Sequence, residues 1–172
     1  MTNRPVLEVR NVDKTFRKSP AVVDLSLTLE AGAIYALLGP NGAGKTTTIN
    51  MILGFIEPSA GEIRVDGLSV QADPLATRAR IAYLPEMVAL YPMLTGIENL
   101  HYFGLLAGKD LDPPTCRKLL TEAGLQPSAH DRRAGFYSKG MRQKVGVAIA
   151  KAKDASLLLF DEPTSGLDPA AS

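Results

Sequence analysis

Apolar and polar positions alternate in the stretch VVDLSLTLEAG, where Val23, Leu25, Leu27 and Leu29 share one side and polar residues separate them. Period two is the mark of a strand with one wet face, and Ala31-Gly32 ends it. AIYALLG, residues 33–39, is apolar throughout, and LLLFD, residues 157–161, repeats that pattern. Both are expected to be strands buried on both faces of a parallel sheet. EIRVDGLSV reads as a short antiparallel pair turning at Asp66-Gly67, a favoured hairpin dipeptide.

Helical stretches with legible ends lie between these strands. Thr95 and Glu98 have capping-box spacing and open a helix to about Ala107, before Gly108. Asp112 and Pro113 start a second that Gly124 ends, and a third begins near Ser138 with Val145, Val147, Ala148, Ile149 and Ala152. The pattern predicts one domain over residues 1–172, with a mostly helical subdomain over about 91–153 inserted between strands of one sheet. The sole cysteine, Cys116, lies at helical spacing with Leu119, Leu120 and Ala123, which predicts a small core residue.

Composition narrows the choice of partner. A net charge of +1 over 172 residues gives no polyanion footprint, so nucleic acid is not expected. The amino terminus lacks the apolar stretch of a secretion signal, and no segment approaches the ~20 apolar residues of a membrane span. The expected location is cytoplasmic, with any membrane role supplied by a partner.

Chemistry concentrates in three places. GPNGAGKTT supplies Gly39, Pro40, Asn41, Gly42, Ala43, Gly44, Lys45, Thr46 and Thr47, and fits the phosphate-loop pattern between an expected strand and an expected helix, TTTINMILGF. Backbone N–H groups must surround triphosphate oxygens, so bare glycines at 42 and 44 and a helix amino terminus suit the task. Lys45 would place a cation on the β and γ phosphates, and the Thr46 hydroxyl would ligate Mg²⁺. Asp161 and Glu162 follow the apolar run LLLF, at the end where open α/β sheets carry ligand groups. Asp161 can hold Mg²⁺ through water, and Glu162 can polarise a water attacking the γ-phosphate. YSKGMRQ, Tyr137 to Gln143, places Ser138 and Gly140 at a helix start, a second anion site.

Together these residues resemble the ATP-binding cassette family, whose LSGGQ signature is matched by Tyr137-Ser138-Lys139-Gly140-Met141. The third-position Lys and final Met, with YLPEMVALYPMLTG and DRRAGFYSKGMRQK, look like cassettes of drug, polysaccharide or lipid exporters. They also look like the accessory cassette of nitrous oxide reductase copper-site assembly. The resemblance implies an α/β phosphate-loop fold with a mostly parallel core sheet, an antiparallel β subdomain and an inserted helical subdomain. It implies an ATPase using ATP and Mg²⁺, in which the signature of one protomer covers nucleotide held by the phosphate loop of another. The partners implied are a second cassette, identical or different, and separate transmembrane permease subunits at the inner face of the cell membrane.

By position, the resemblance makes Phe16 the aromatic that stacks on adenine and places Asp168, in SGLDP, in the loop that crosses the dimer interface. Glu86 stands where the family usually has a glutamine that touches Mg²⁺ and senses the membrane partner. The family's γ-phosphate histidine follows that crossing loop, and neither His101 nor His130 can replace it by position, so structural roles are expected for both. The family's next core strand, between the phosphate-loop and acidic-pair strands, also lies beyond Ser172. The expectation is therefore an incomplete cassette, unstable or crippled in hydrolysis alone. The competing expectation is a non-catalytic nucleotide-binding module. Cassettes of translation and DNA repair fit less well, since neither a tandem cassette nor a coiled-coil insertion is visible.

Overall fold

The computed structural model describes residues 4–161. They fall into two compact units, one ending at Ile81 and the other beginning at Ala82.

In the first unit, β1 (Leu7–Phe16) pairs antiparallel with β2 (Ser19–Leu29) and β3 (Ala60–Val65), and β4 (Leu68–Ser69) completes a sheet of order β2-β1-β3-β4. The hairpin between β3 and β4 turns at Asp66 and Gly67, as expected. Both have positive φ, 49° and 76°, the geometry of a tight hairpin turn and one an Asp-Gly pair tolerates. Helix α1 (Lys45–Ile52) buries Ile49, Met51 and Ile52 in a core with Val9, Val12, Ile63 and Val65. A short helix, α2 (Pro74–Ala79), starts with Asp73 accepting from Ala76 N–H and proline in its first turn.

The expected buried strand at residues 33–39 is not formed. These residues have no regular structure, and every one of 31–40 is exposed, Ile34 to 97% and Leu38 to 90%. An apolar run becomes a central strand only where neighbours supply ladder partners and cover on both faces. Among the described residues no strand pairs with this segment.

In the second unit, helices α3 (Gly96–Leu106), α4 (Pro113–Glu122) and α5 (Lys139–Lys153) enclose a core of Leu100, Cys116, Leu120, Leu125, Tyr137, Val145 and Ala148. All three amino termini are those expected: Thr95 and Glu98 form the reciprocal capping box, and Asp112 and Ser138 accept from Thr115 and Met141 N–H. Buried Asn99 knits the preceding loop to α3, accepting from Tyr91 N–H at 2.8 Å and donating to the carbonyls of Tyr91 and Thr95. Cys116 is fully buried, and burial pushes its thiol above its ordinary pKa.

Strands β5 (Ile81–Leu84) and β6 (Leu157–Phe160) form a separate two-stranded sheet. Asp161 N–H donates to Leu84 O at 3.0 Å, setting their carboxyl ends side by side. Leu157 is buried, but Leu158 and Phe160 are 49% and 45% exposed, so β6 is covered less completely than its apolar sequence leads one to expect. Among the described residues β5 is its one ladder neighbour.

Candidate functional site

In the first unit, the phosphate loop closes on itself before α1 begins. Lys45 Nζ reaches back to donate to Gly39 O at 2.7 Å and Pro40 O at 3.0 Å, while Ala43 N–H donates to Pro40 O at 3.1 Å. The ammonium is thereby held across the loop and still has a third donor. Gly44 is the amino-terminal cap of α1 at φ 86°, and a Cβ there would stand 2.4 Å from Ala21 O of β2. The residue is bare because the loop presses on the strand.

The first turn of any helix presents N–H groups with no intrahelical acceptor. Side chains cap α2, α3, α4 and α5, whereas α1 has neither a side-chain cap nor an acidic residue in its first turn. Lys45, Thr46 and Thr47 therefore combine orphan backbone donors, a dipole end and an ammonium, a set that suits phosphate oxygens. Exposed Asn41, Gly42, Ala43 and Thr46 leave the approach open, and a Cβ at Gly42 would meet nothing within 4 Å. Phe16, 45% exposed, pairs with Ser19 at the end of β2 against which Gly44 packs, and Lys14 Nζ lies 5.1 Å from its ring centroid.

In the second unit, β5 and β6 bring two predicted acidic residues to one edge. Asp161 follows β6 and Glu86 comes two residues after Leu84. The Tyr83 hydroxyl donates to Asp161 Oδ2 at 3.4 Å. Burial, and then the Asp161 charge, raise the Tyr83 phenol above its ordinary pKa, so it remains a donor. Glu86 is tied to α5: Gln143 Nε2 donates to its carbonyl at 2.7 Å, and its carboxylate lies 3.6 Å from Lys139 Nζ. No cluster of three His, Cys, Asp or Glu side chains that could hold a metal occurs among the described residues.

Ser138 and Gly140 stand at the start of α5, as expected. The Ser138 hydroxyl oxygen accepts from Met141 N–H at 3.2 Å, and its own proton is left to donate. His101 Nδ1 lies 2.8 Å from Leu111 O, and buried His130 places Nε2 3.0 Å from Leu125 O, structural positions for both. Glu162 and Asp168 lie outside the described residues. Sequence reasoning missed Tyr83, Gln143 and the role of Lys139 as a neighbour of Glu86. Only the spacing of 139 and 143, one helical turn apart, hinted at a shared face.

A profile of the ABC transporter family matches residues 22–165. The chain belongs to that family. It is 44% identical over 155 residues to the ABC transporter ATP-binding protein NatA of Bacillus subtilis, covering 88% of this chain and 63% of that protein. It is 41% identical over 167 residues to the Nod factor export ATP-binding protein I of Burkholderia lata, covering 96% and 55%. The chain thus spans little more than half to about three fifths of these curated relatives. A solved ATP-binding subunit of an ABC transporter superposes with TM-score 0.81 at 34% identity, covering 96% of this chain and 70% of that one. A dimeric ATP-binding cassette in a post-hydrolysis state with ADP and Pi superposes with TM-score 0.83, covering 95% and 77%; at 24% identity it shows the fold. The fold is therefore the α/β phosphate-loop cassette fold. No helix among the described residues is long and apolar enough to cross a membrane.

Proposed function

We propose that this chain is the ATP-binding and ATP-hydrolysing part of an exporter-type ABC transporter, working with separate transmembrane subunits and a second cassette. The observation that carries the reading is the uncapped start of α1 beneath a loop whose own lysine spans the Gly39 and Pro40 carbonyls. That arrangement binds a polyphosphate through orphan N–H donors and fixed positive charge. A relative named for Nod factor export supports an exporter.

Within this reading, Gly39 to Thr47 cradle the phosphates, Lys45 neutralises the β and γ oxygens, and Phe16 stacks on the base. By resemblance to the family, Thr46 is assigned as a ligand of Mg²⁺, and so, separately, are Asp161 and Glu86; the ion would supply charge neutralisation across the phosphates, and hydroxyl and carboxylate oxygens are the hard donors it prefers. Glu162 accepts the proton of the attacking water. Ser138 and Gly140 offer a hydroxyl and a backbone N–H to nucleotide held by a second protomer, and resemblance to the family assigns Asp168 a role between protomers.

A second reading, a nucleotide-binding module without turnover, is favoured by the open segment at residues 33–39, which leads straight into the phosphate loop. Two variants separate them. Lys45→Ala is expected to weaken Mg-ATP binding at least tenfold, and unchanged affinity would overturn both readings. Glu162→Gln is expected to keep binding while abolishing turnover; a wild-type chain that binds but never hydrolyses selects the second.

A further inference from the structure

Three residues of α5 meet the segment that carries Glu86. Lys139, Gln143 and Gly146 are spaced i, i+4 and i+7, so they form one stripe along the helix. At the amino end, Lys139 Nζ lies 3.6 Å from Glu86 Oε1. One turn on, Gln143, 5% exposed, gives Nε2 to Glu86 O at 2.7 Å. One turn further, a Cβ on Gly146 would stand 2.5 Å from Leu84 Cδ1 and 2.8 Å from Val88 Cγ2, so only a bare backbone admits both side chains.

We propose that this stripe is a clamp, with Lys139 and Gln143 as positioning residues that set where the Leu84–Val88 segment presents the Glu86 carboxylate. The chemistry divides the work. The Gln143 side chain is buried while its hydrogen bond to the exposed Glu86 is partly buried, and among the described residues its Oε1 has no partner, so the bond to the loop is the one this amide makes. The ion pair is half-exposed, 38% and 48% at the two side chains, so it steers the carboxylate more than it stabilises the fold. The geometry of the clamp stands whether or not the function proposed above holds; its effect on turnover rests on that function.

Amide hydrogen exchange over residues 84–90 in the full chain without nucleotide tests the clamp directly. Gln143→Met, which keeps volume and removes the donor, is expected to speed exchange there about fivefold or more while far-ultraviolet circular dichroism is unchanged. Gln143→Glu cannot donate when ionised and is expected not to restore protection. Lys139→Met and Glu86→Gln should each loosen the segment slightly, and the double variant no more than either alone. Unchanged exchange in folded Gln143→Met, or additive effects of the Lys139 and Glu86 changes, would overturn the proposal. Because no nucleotide is present, that failure is separate from a failure of ATP binding. A turnover arm adds that Gln143→Met lowers kcat with KM for ATP unchanged, whereas a raised KM alone would assign the stripe to nucleotide binding instead.

Discussion

Gly44 shows how one residue can be constrained twice. Its φ of 86° disfavours any side chain, and the carbonyl of Ala21, 2.4 Å from where a Cβ would sit, leaves no room for one. The bareness that lets the loop N–H groups face a ligand is thus also what lets the loop lie against β2. Gly44→Ala is expected to lower stability by about 1–3 kcal/mol, read from the urea midpoint, because a strained backbone and a clash coincide. An unchanged midpoint would show that the loop yields without cost. The glycine was legible in the sequence as part of a phosphate loop, but its packing reason was not, since Ala21 is 23 residues away and nothing local links the two.

Among elements, the helices of the second unit were the most legible because their ends are set by neighbours in sequence. Thr95 N–H donates to Glu98 Oε2 at 2.8 Å, and Glu98 N–H to Thr95 Oγ1 at 3.2 Å, as the spacing implied. Hydrogen bonding from the Thr95 backbone holds the Glu98 carboxyl below its ordinary pKa. A depressed folded value adds stability that is complete above the ordinary carboxylate range and fades as pH falls through the folded value. Glu98→Gln should therefore be less stable than the parent near neutral pH and converge with it in acid. A gap that stayed constant down to pH 3 would contradict the capping role. Thr95→Ala should cost about 1 kcal/mol of unfolding free energy at neutral pH. β1 and β5 were harder to see, because β1 carries irregular registers against both neighbours and β5 is only four residues long.

At the level of the whole chain, the exposed apolar groups at Ile34, Leu38, Leu158 and Phe160 stand out, since single exposed apolar residues are ordinary but runs are not. They occur where the sequence called for buried strands. The polypeptide of residues 1–172 is therefore expected to bind a hydrophobic dye such as ANS while folded. Replacing Ile34 and Leu38 by Thr should reduce that signal while shifting stability by less than about 0.5 kcal/mol. A loss above about 2 kcal/mol would mean that these side chains are buried in solution.

What the sequence determined alone was everything set within a few residues: the phosphate loop, the Asp66-Gly67 turn, and the caps at Thr95, Asp112 and Ser138. Those features depend on backbone groups and side chains that are neighbours by covalent connection, so pattern suffices. What the tertiary structure decided was which distant groups meet. Among the described residues it left 33–39 without a ladder, buried His130 against Leu125 O, pressed Gly44 onto Ala21, and joined Gln143 to the carbonyl of Glu86 across 57 positions. Burial and pairing depend on partners that only the folded chain supplies, so an apolar run can announce a strand without specifying what will cover it.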